Sequence, residues 1–185
     1  MYYKNSASEH IQEGLWWEES CVRRQAGYDL DVTNLPSTLR FFPKGAVLAF
    51  VPATGKAKLV KTFEVYETAN ANATTLKVKD PYGLAAVGDT IAGKEVSAVS
   101  RADGVATLTI AALAAKLTAG DVVSDASASG TLLGLNYATV DLRDNDYPSV
   151  TPTLQAYEIE EDTLPFPVNS TIKQGLGDRH QFKII

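Results

Sequence analysis

The sequence predicts an all-β protein (mainly β) with short helical pieces, a small β-barrel or β-sandwich carrying an inserted β-module. Three observations predict it. Short runs of β-branched and aromatic residues are separated by clusters of Gly, Pro, Asn and Asp, the pattern of many short strands. Ala106, Leu108 and Ile110 alternate with Val105, Thr107 and Thr109, the period of a half-buried strand. Finally, Ala86-Val87-Gly88-Asp89-Thr90-Ile91 is echoed by Thr118-Ala119-Gly120-Asp121-Val122-Val123. In each, glycine frees the backbone for a turn, aspartate bonds local backbone, and β-branched residues open a strand. Asp103-Gly104 between them is a hairpin signal, so the stretch describes a compact β-module. Two unrelated turns with the same letters are the plainer alternative.

Residues 1–31 read differently. They are polar with scattered aromatics (Tyr2, Tyr3, Trp16, Trp17, Tyr28) and no sustained period of 2 or 3.6. Ile11, Leu15 and Val22 with the Trp pair allow one short amphipathic helix. The segment is expected to be an N-terminal docking arm, loosely packed until a partner orders it. Tyr2, Tyr3, Trp16 and Trp17 are its partner-binding residues, because Trp and Tyr dominate interface energetics. The alternative is that Trp16 or Trp17 caps the chain's own core.

From Leu39 the chain becomes β-like. Pro43-Lys44-Gly45 turns into a buried strand over residues 46–51, and Pro52 to Lys56 closes it with another turn. Residues 60–67 place Phe63 and Val65 opposite Glu64 and Tyr66, and residues 75–79 place Leu76 and Val78 inward, with a small polar loop between. Asp80-Pro81-Tyr82-Gly83 is a turn. The Ala-rich stretch 110–117 predicts two turns of helix. Asp125 to Gly130 is small and flexible and marks a boundary. Strands follow at 132–142, 153–159 and 182–185. A short helix is expected over 169–176, begun by Asn169 or Ser170 and stopped at Gly177. The division is therefore an arm (1–31), a β-domain (32–61 plus 131–185) and an autonomous inserted module (62–130) with its own core.

At 185 residues, 45% hydrophobic and 21% charged, the chain is long enough to bury a sizeable core and has ordinary globular composition. A net charge of −5 argues against a nucleic-acid partner. No run approaches the apolar length of a membrane span, and Met1 to Asn5 lacks the apolar core of a signal peptide, so a cytoplasmic origin and no membrane are expected. Cys21 is the single cysteine, which excludes an internal disulfide and a thiolate cluster within one chain.

The search for chemistry returns no nucleophile, base and oxyanion donor together, so no enzyme, no catalytic residue, no cofactor and no metal are expected. Thr54-Gly55-Lys56 lacks both the upstream glycine and the following Ser or Thr of a phosphate loop. Asp141 to Asp146 is the best calcium candidate, yet it has neither EF-hand spacing nor the distal Glu. Glu158, Glu160, Glu161 and Asp162 read as an exposed rim. Glu9-His10 sits in the irregular arm, where the fixed geometry of acid–base work is absent. Leu164-Pro165-Phe166-Pro167-Val168 reads as a stiff apolar ledge, with Leu164, Pro165 and Phe166 as further partner-binding residues. Its prolines lack N–H donors and it packs by side chains. An oligomer is expected to cover it, unless Phe166 fills the chain's own core.

Two segments resemble a known family. Residues 43–56, Pro43-Lys44-Gly45-Ala46-Val47-Leu48-Ala49-Phe50-Val51 with the Thr54-Gly55-Lys56 turn, are similar to the opening strand and turn of lambda-type head decoration proteins of tailed phages. Gly134 to Asp141, followed by Leu164-Pro165-Phe166-Pro167, resembles that family's later strands and leucine-proline step. The middle, about residues 62–130, departs from the family and looks like the small Gly-Asp modules of phage head and tail structural proteins. The resemblance covers about half the chain. It implies a virion structural protein, a homotrimer seated on the major capsid protein as a capsid decoration or head-fibre protein, assembled in the host cytoplasm. A carbohydrate- or receptor-binding β-module of a phage tail or cell-surface assembly stays open; it needs Tyr66, Tyr82, Tyr137 and Tyr147 exposed on one face. A hydrolase also stays open; it needs carboxylates of the 141–162 region to converge at about 5 to 10 Å.

Overall fold

The computed structural model describes residues 12–143 and 145–183. The fold is all-β, with several sheets and one α-helix. In chain order the strands are β1 (Val22–Arg23), β2 (Tyr28–Asp29), β3 (Phe41–Phe42), β4 (Val47–Val51), β5 (Lys56–Leu59), β6 (Thr62–Glu64), β7 (Thr75–Lys79) and β8 (Thr90–Ile91). They continue with β9 (Lys94–Ala102), β10 (Val105–Ile110), β11 (Val122–Ser124), β12 (Leu132–Leu135), β13 (Val140–Asp141), β14 (Ser149–Val150), β15 (Thr153–Ile159) and β16 (His180–Phe182), with helix α1 (Ser170–Leu176) before the last.

Most elements fall where apolar alternation and turn chemistry put them. Leu76 and Val78 are fully buried on β7, and Phe63 and Val65 point inward while Tyr66 is exposed. Asp103 and Gly104 both take positive φ, 51° and 74°, as a hairpin turn between β9 and β10 requires. Asn169 caps α1 by accepting from the Ile172 N–H at 3.0 Å, and Gly177 ends it. Two expectations fail. Residues 111–117 form no helix: Leu117 and Ala69 exchange backbone hydrogen bonds at 2.9 Å, and Leu113 bonds Ala73 at 3.0 Å, so tertiary pairing overrides alanine's helical preference. The stretch 132–142 is two strands, because Asn136 turns aside to pair with Ala46 and to donate its amide to the Pro43 and Ala138 carbonyls.

The Gly-Asp echo is a repeated structure. Gly88 and Gly120 have φ of 89° and 92°, a conformation open to glycine at little steric cost. Asp89 Oδ2 accepts from the Ala86 N–H at 2.8 Å, and Asp121 Oδ2 from the Thr118 N–H at 2.7 Å. The first turn clasps Val96 (Gly88 N–H to its carbonyl, its N–H to the Asp89 carbonyl), and the second clasps Val65 in the same way. Each turn thus docks its strand on a buried valine.

The sheet order β7-β10-β9-β8 curls. β7 reaches the β6 segment through the Val65–Val78 bridge, β6 pairs with β11, and the end of β11 meets β8 through the Ile91–Asp125 bridge. Hydrogen-bonded contacts therefore run a full circuit through six strands of the 62–125 segment. Outside it, β12-β4-β5 form one antiparallel sheet, β13 pairs with β3, β14 with β2, and β15 lies between β1 and parallel β16.

The hydrophobic core does not divide at the same boundary. Phe63, Leu76 and Leu108 of the curled segment share a cluster with Phe42, Leu48 and Leu59, and Val140 packs against it. The expectation of a core of its own for the inserted segment is corrected here, because β4 offers Leu48 to one side and Val47 to the other. Val47 and Ala49 belong to a second cluster with Trp16, Leu135, Ala156, Ile159, Leu164, Val168 and Ile172.

His180 is buried opposite Ala156 of that second cluster, its register partner across β15 and β16. Its Nε2 lies 2.9 Å from Thr153 Oγ1, which also accepts from the Leu135 N–H at 3.0 Å, and its Nδ1 lies 3.3 Å from the Leu176 carbonyl. A neutral ring with the proton on Nδ1 satisfies all three contacts. Burial lowers its pKa from the ordinary 6.5. Protons then bind the unfolded chain more readily, so stability is full above about pH 6.5 and falls as pH drops through the folded-state value. Denaturant midpoints measured between about pH 7.5 and 5 should decline in the native chain and decline less in His180→Gln.

Candidate functional site

The leucine-proline step shows why sequence and surface differ. A short turn at Glu161–Thr163 delivers Leu164 in extended conformation (φ −62°, ψ 139°), and Pro165 and Pro167 keep the backbone extended. Leu164 enters the second core cluster and Phe166 the first, at 6% and 4% exposure, and Pro165 is buried with them. The exposed ledge expected at 164–168 is thus corrected. Its apolar residues stitch two cores together, and Phe166 fills the chain's own interior with the Tyr82 ring standing edge-on at 5.6 Å.

This step forms one wall of a groove of about 320 Å³. The apolar side is Pro81, Tyr82, Leu164, Pro165, Phe166 and Pro167. The facing side is polar and comes from β6 and β7: Thr62, Glu64 and Lys79, with Glu64 Oε1 accepting from Lys79 Nζ at 2.6 Å. Asp80 lies at its base, buried, accepting from the Leu84 and Ala85 N–H groups at 2.7 and 3.1 Å. That is the reason 80–83 turns: the carboxylate replaces the backbone partners the turn would lose. Gln12 and Asp162 complete the rim, joined by the Gln12 amide donating to the Asp162 carbonyl at 2.6 Å. Thr62 is 3% exposed, and its hydroxyl has no hydrogen-bond partner.

A second, more polar depression of about 200 Å³ holds the buried Lys61–Asp89 pair, at 2.7 and 2.9 Å, with Asp125 beside it. Asp125 accepts from Ser127, and burial pushes its carboxyl above the usual carboxylate range. Lys61 anchors the first Gly-Asp turn, so this pair reads as structural.

The arm divides at its tryptophans. Tyr2 and Tyr3, with Glu9 and His10, lie outside the described residues. Trp16 is buried at 7% with Lys44 Nζ 4.3 Å over its ring, so it belongs to the chain's own core and not to a docking arm. Gly14 makes this possible: a Cβ there would lie 2.9 Å from Leu164 Cδ2 and 3.1 Å from Gly45 Cα, tighter than ordinary side-chain contact. Residues 12–31 are built in by Leu15 bridging Glu160, by β1 on β15 and β2 on β14, and by buried Leu30. The loosely packed arm expected there is corrected for these residues. Trp17, at 52%, stays exposed.

Three carboxylates of the acidic stretches have basic partners, and Asp144 lies outside the described residues. Asp141 is gripped by Arg143 at 2.6 and 3.0 Å, which holds its carboxyl down to about 2. Glu160 faces Lys183 at 3.5 Å and Glu161 faces Lys173 at 2.6 Å. Among the described residues no three His, Cys, Asp or Glu gather to hold a metal, and no helix is long and apolar enough to cross a membrane. Of the four tyrosines considered for glycan binding, Tyr66 and Tyr147 are exposed, Tyr82 stands on Phe166, and Tyr137 lies under Arg23 at 4.7 Å.

The composition of the groove had one legible signal, the same-face spacing of Thr62 and Glu64 on a strand. Most of its facing wall, residues 164–167, comes from a hundred residues further along, beyond reach of local pattern. Comparison with protein-family models, with curated proteins and with solved structures finds no match.

Proposed function

We propose that this chain is a virion structural protein, a capsid decoration or head-fibre protein that binds and stabilises the assembled head of a tailed phage. One observation carries the reading. The two decoration-like segments are separated by the whole inserted stretch, yet they meet: Leu135 pairs with Val47, Gly134 with Leu48, and Val140 with Phe42. Leu164 of the leucine-proline step lies in the same core cluster as Val47 and Leu135. The reading requires these segments to meet, and their pairing across β4–β12 and β3–β13 supports it.

The partner in this reading is the major capsid protein, with a homotrimer as the bound form. The 164–166 segment is buried and supplies no contact. The surface that fits the role is the line of exposed Leu15, Trp17, Val22 and Leu154, all on or beside β15. Exposed apolar side chains gathered along one strand and the segment paired to it are the ordinary mark of an interface. The test is addition of the purified chain to assembled heads that lack it, followed by sedimentation and by heating. Retention on heads, with a rise in their disruption temperature, is the expected result. Heads that retain no chain at saturating concentration would overturn the reading.

A further inference from the structure

We propose that the groove between β6–β7 and the leucine-proline step is a carbohydrate site for one pyranose ring. Its volume sits at the small end of small-molecule sites, enough for a ring and too small for a folded partner. Its two sides differ in the way a sugar differs. Pro81, Tyr82 and Pro167 present apolar surface, which suits the C–H face of a pyranose. Opposite them, Lys79 supplies donors and Glu64 acceptors held 2.6 Å apart. Neighbouring sugar hydroxyls, each both donor and acceptor, match such a pair without bringing net charge.

Thr62 points the same way. Residues two apart on a strand share a face, so its side chain lies on the face of Glu64, with Phe63 turned into the core. A buried hydroxyl without a partner is uncommon and carries an uncompensated loss of hydration. A ligand hydroxyl would complete it. A proline-rich peptide would suit the apolar wall but has few N–H donors for Glu64 where a sugar has a hydroxyl on most ring carbons, so a sugar is the better occupant.

The experiment uses the full chain on a glycan array, then titrates the methyl glycoside of a retained sugar while two-dimensional NMR follows backbone amides. Expected are shifts confined to residues 62–64, 79–84 and 161–167, and binding lost in Tyr82→Ala. Thr62→Val keeps the side-chain shape and removes only the hydroxyl. It should unfold at the same temperature as the native chain or higher, yet bind about tenfold more weakly. No retained glycan, shifts centred elsewhere, unchanged affinity in Thr62→Val, or a groove that takes a proline-rich peptide instead would each overturn the proposal. Head binding is read separately, so its failure leaves this site standing.

Discussion

Gly134→Ala should destabilise the fold by about 3 to 5 kcal/mol, at the extreme of single substitutions. Gly134 has φ of 138°, in a region that side chains rarely adopt, and a Cβ there would lie 1.9 Å from the Thr153 carbonyl oxygen. The Cβ position is fixed by the backbone and the atom it meets is a main-chain oxygen, so no rotamer change relieves the clash. β12 would have to leave β15, breaking the Leu135 N–H bond to Thr153 and the Tyr137 N–H bond to Thr151. Urea unfolding measures the effect, and a loss below about 1 kcal/mol would mean that β12 and β15 are not in contact as described.

The tryptophans provide the second large effect, and a contrast. Trp16→Ala removes a buried indole from among Val47, Leu135, Ile159 and Leu164 and should cost about 3 to 5 kcal/mol. Trp17→Ala should change stability by no more than about 0.5 kcal/mol, because the Trp17 ring is exposed to solvent. In the proposed function the order reverses for binding: Trp17→Ala folds normally and weakens retention on heads. Equal stabilities for the two variants would return both tryptophans to a docking arm.

These residues also show what the chain reveals locally. Strands with clean alternation, such as β7 and β10, and the helix bounded by Asn169 and Gly177 follow from side-chain period and capping alone. The Gly-Asp turns are legible for the same reason, since their bonds lie within three residues. What local reading misses is decided by long-range packing. Trp16 lacks any amphipathic period around it, yet one close approach of Gly14 to Gly45 lets it enter a core made by residues far along the chain. Leu164 and Phe166 look like one ledge in sequence and serve two cores in space. The single-core merging of Phe63 with Leu48 depends on β4 being buried on both faces, which a continuous apolar run suggests without naming the neighbours. The groove arises where two such distant walls meet.

Head binding is the central claim, and cryo-electron microscopy of heads with and without the added chain tests it most directly. The expected result is regularly spaced density on the outer surface, into which the paired β3–β5 and β12–β13 strands fit with Trp17 at the contact. Identical maps with and without the chain, at a concentration that saturates any micromolar site, would contradict it.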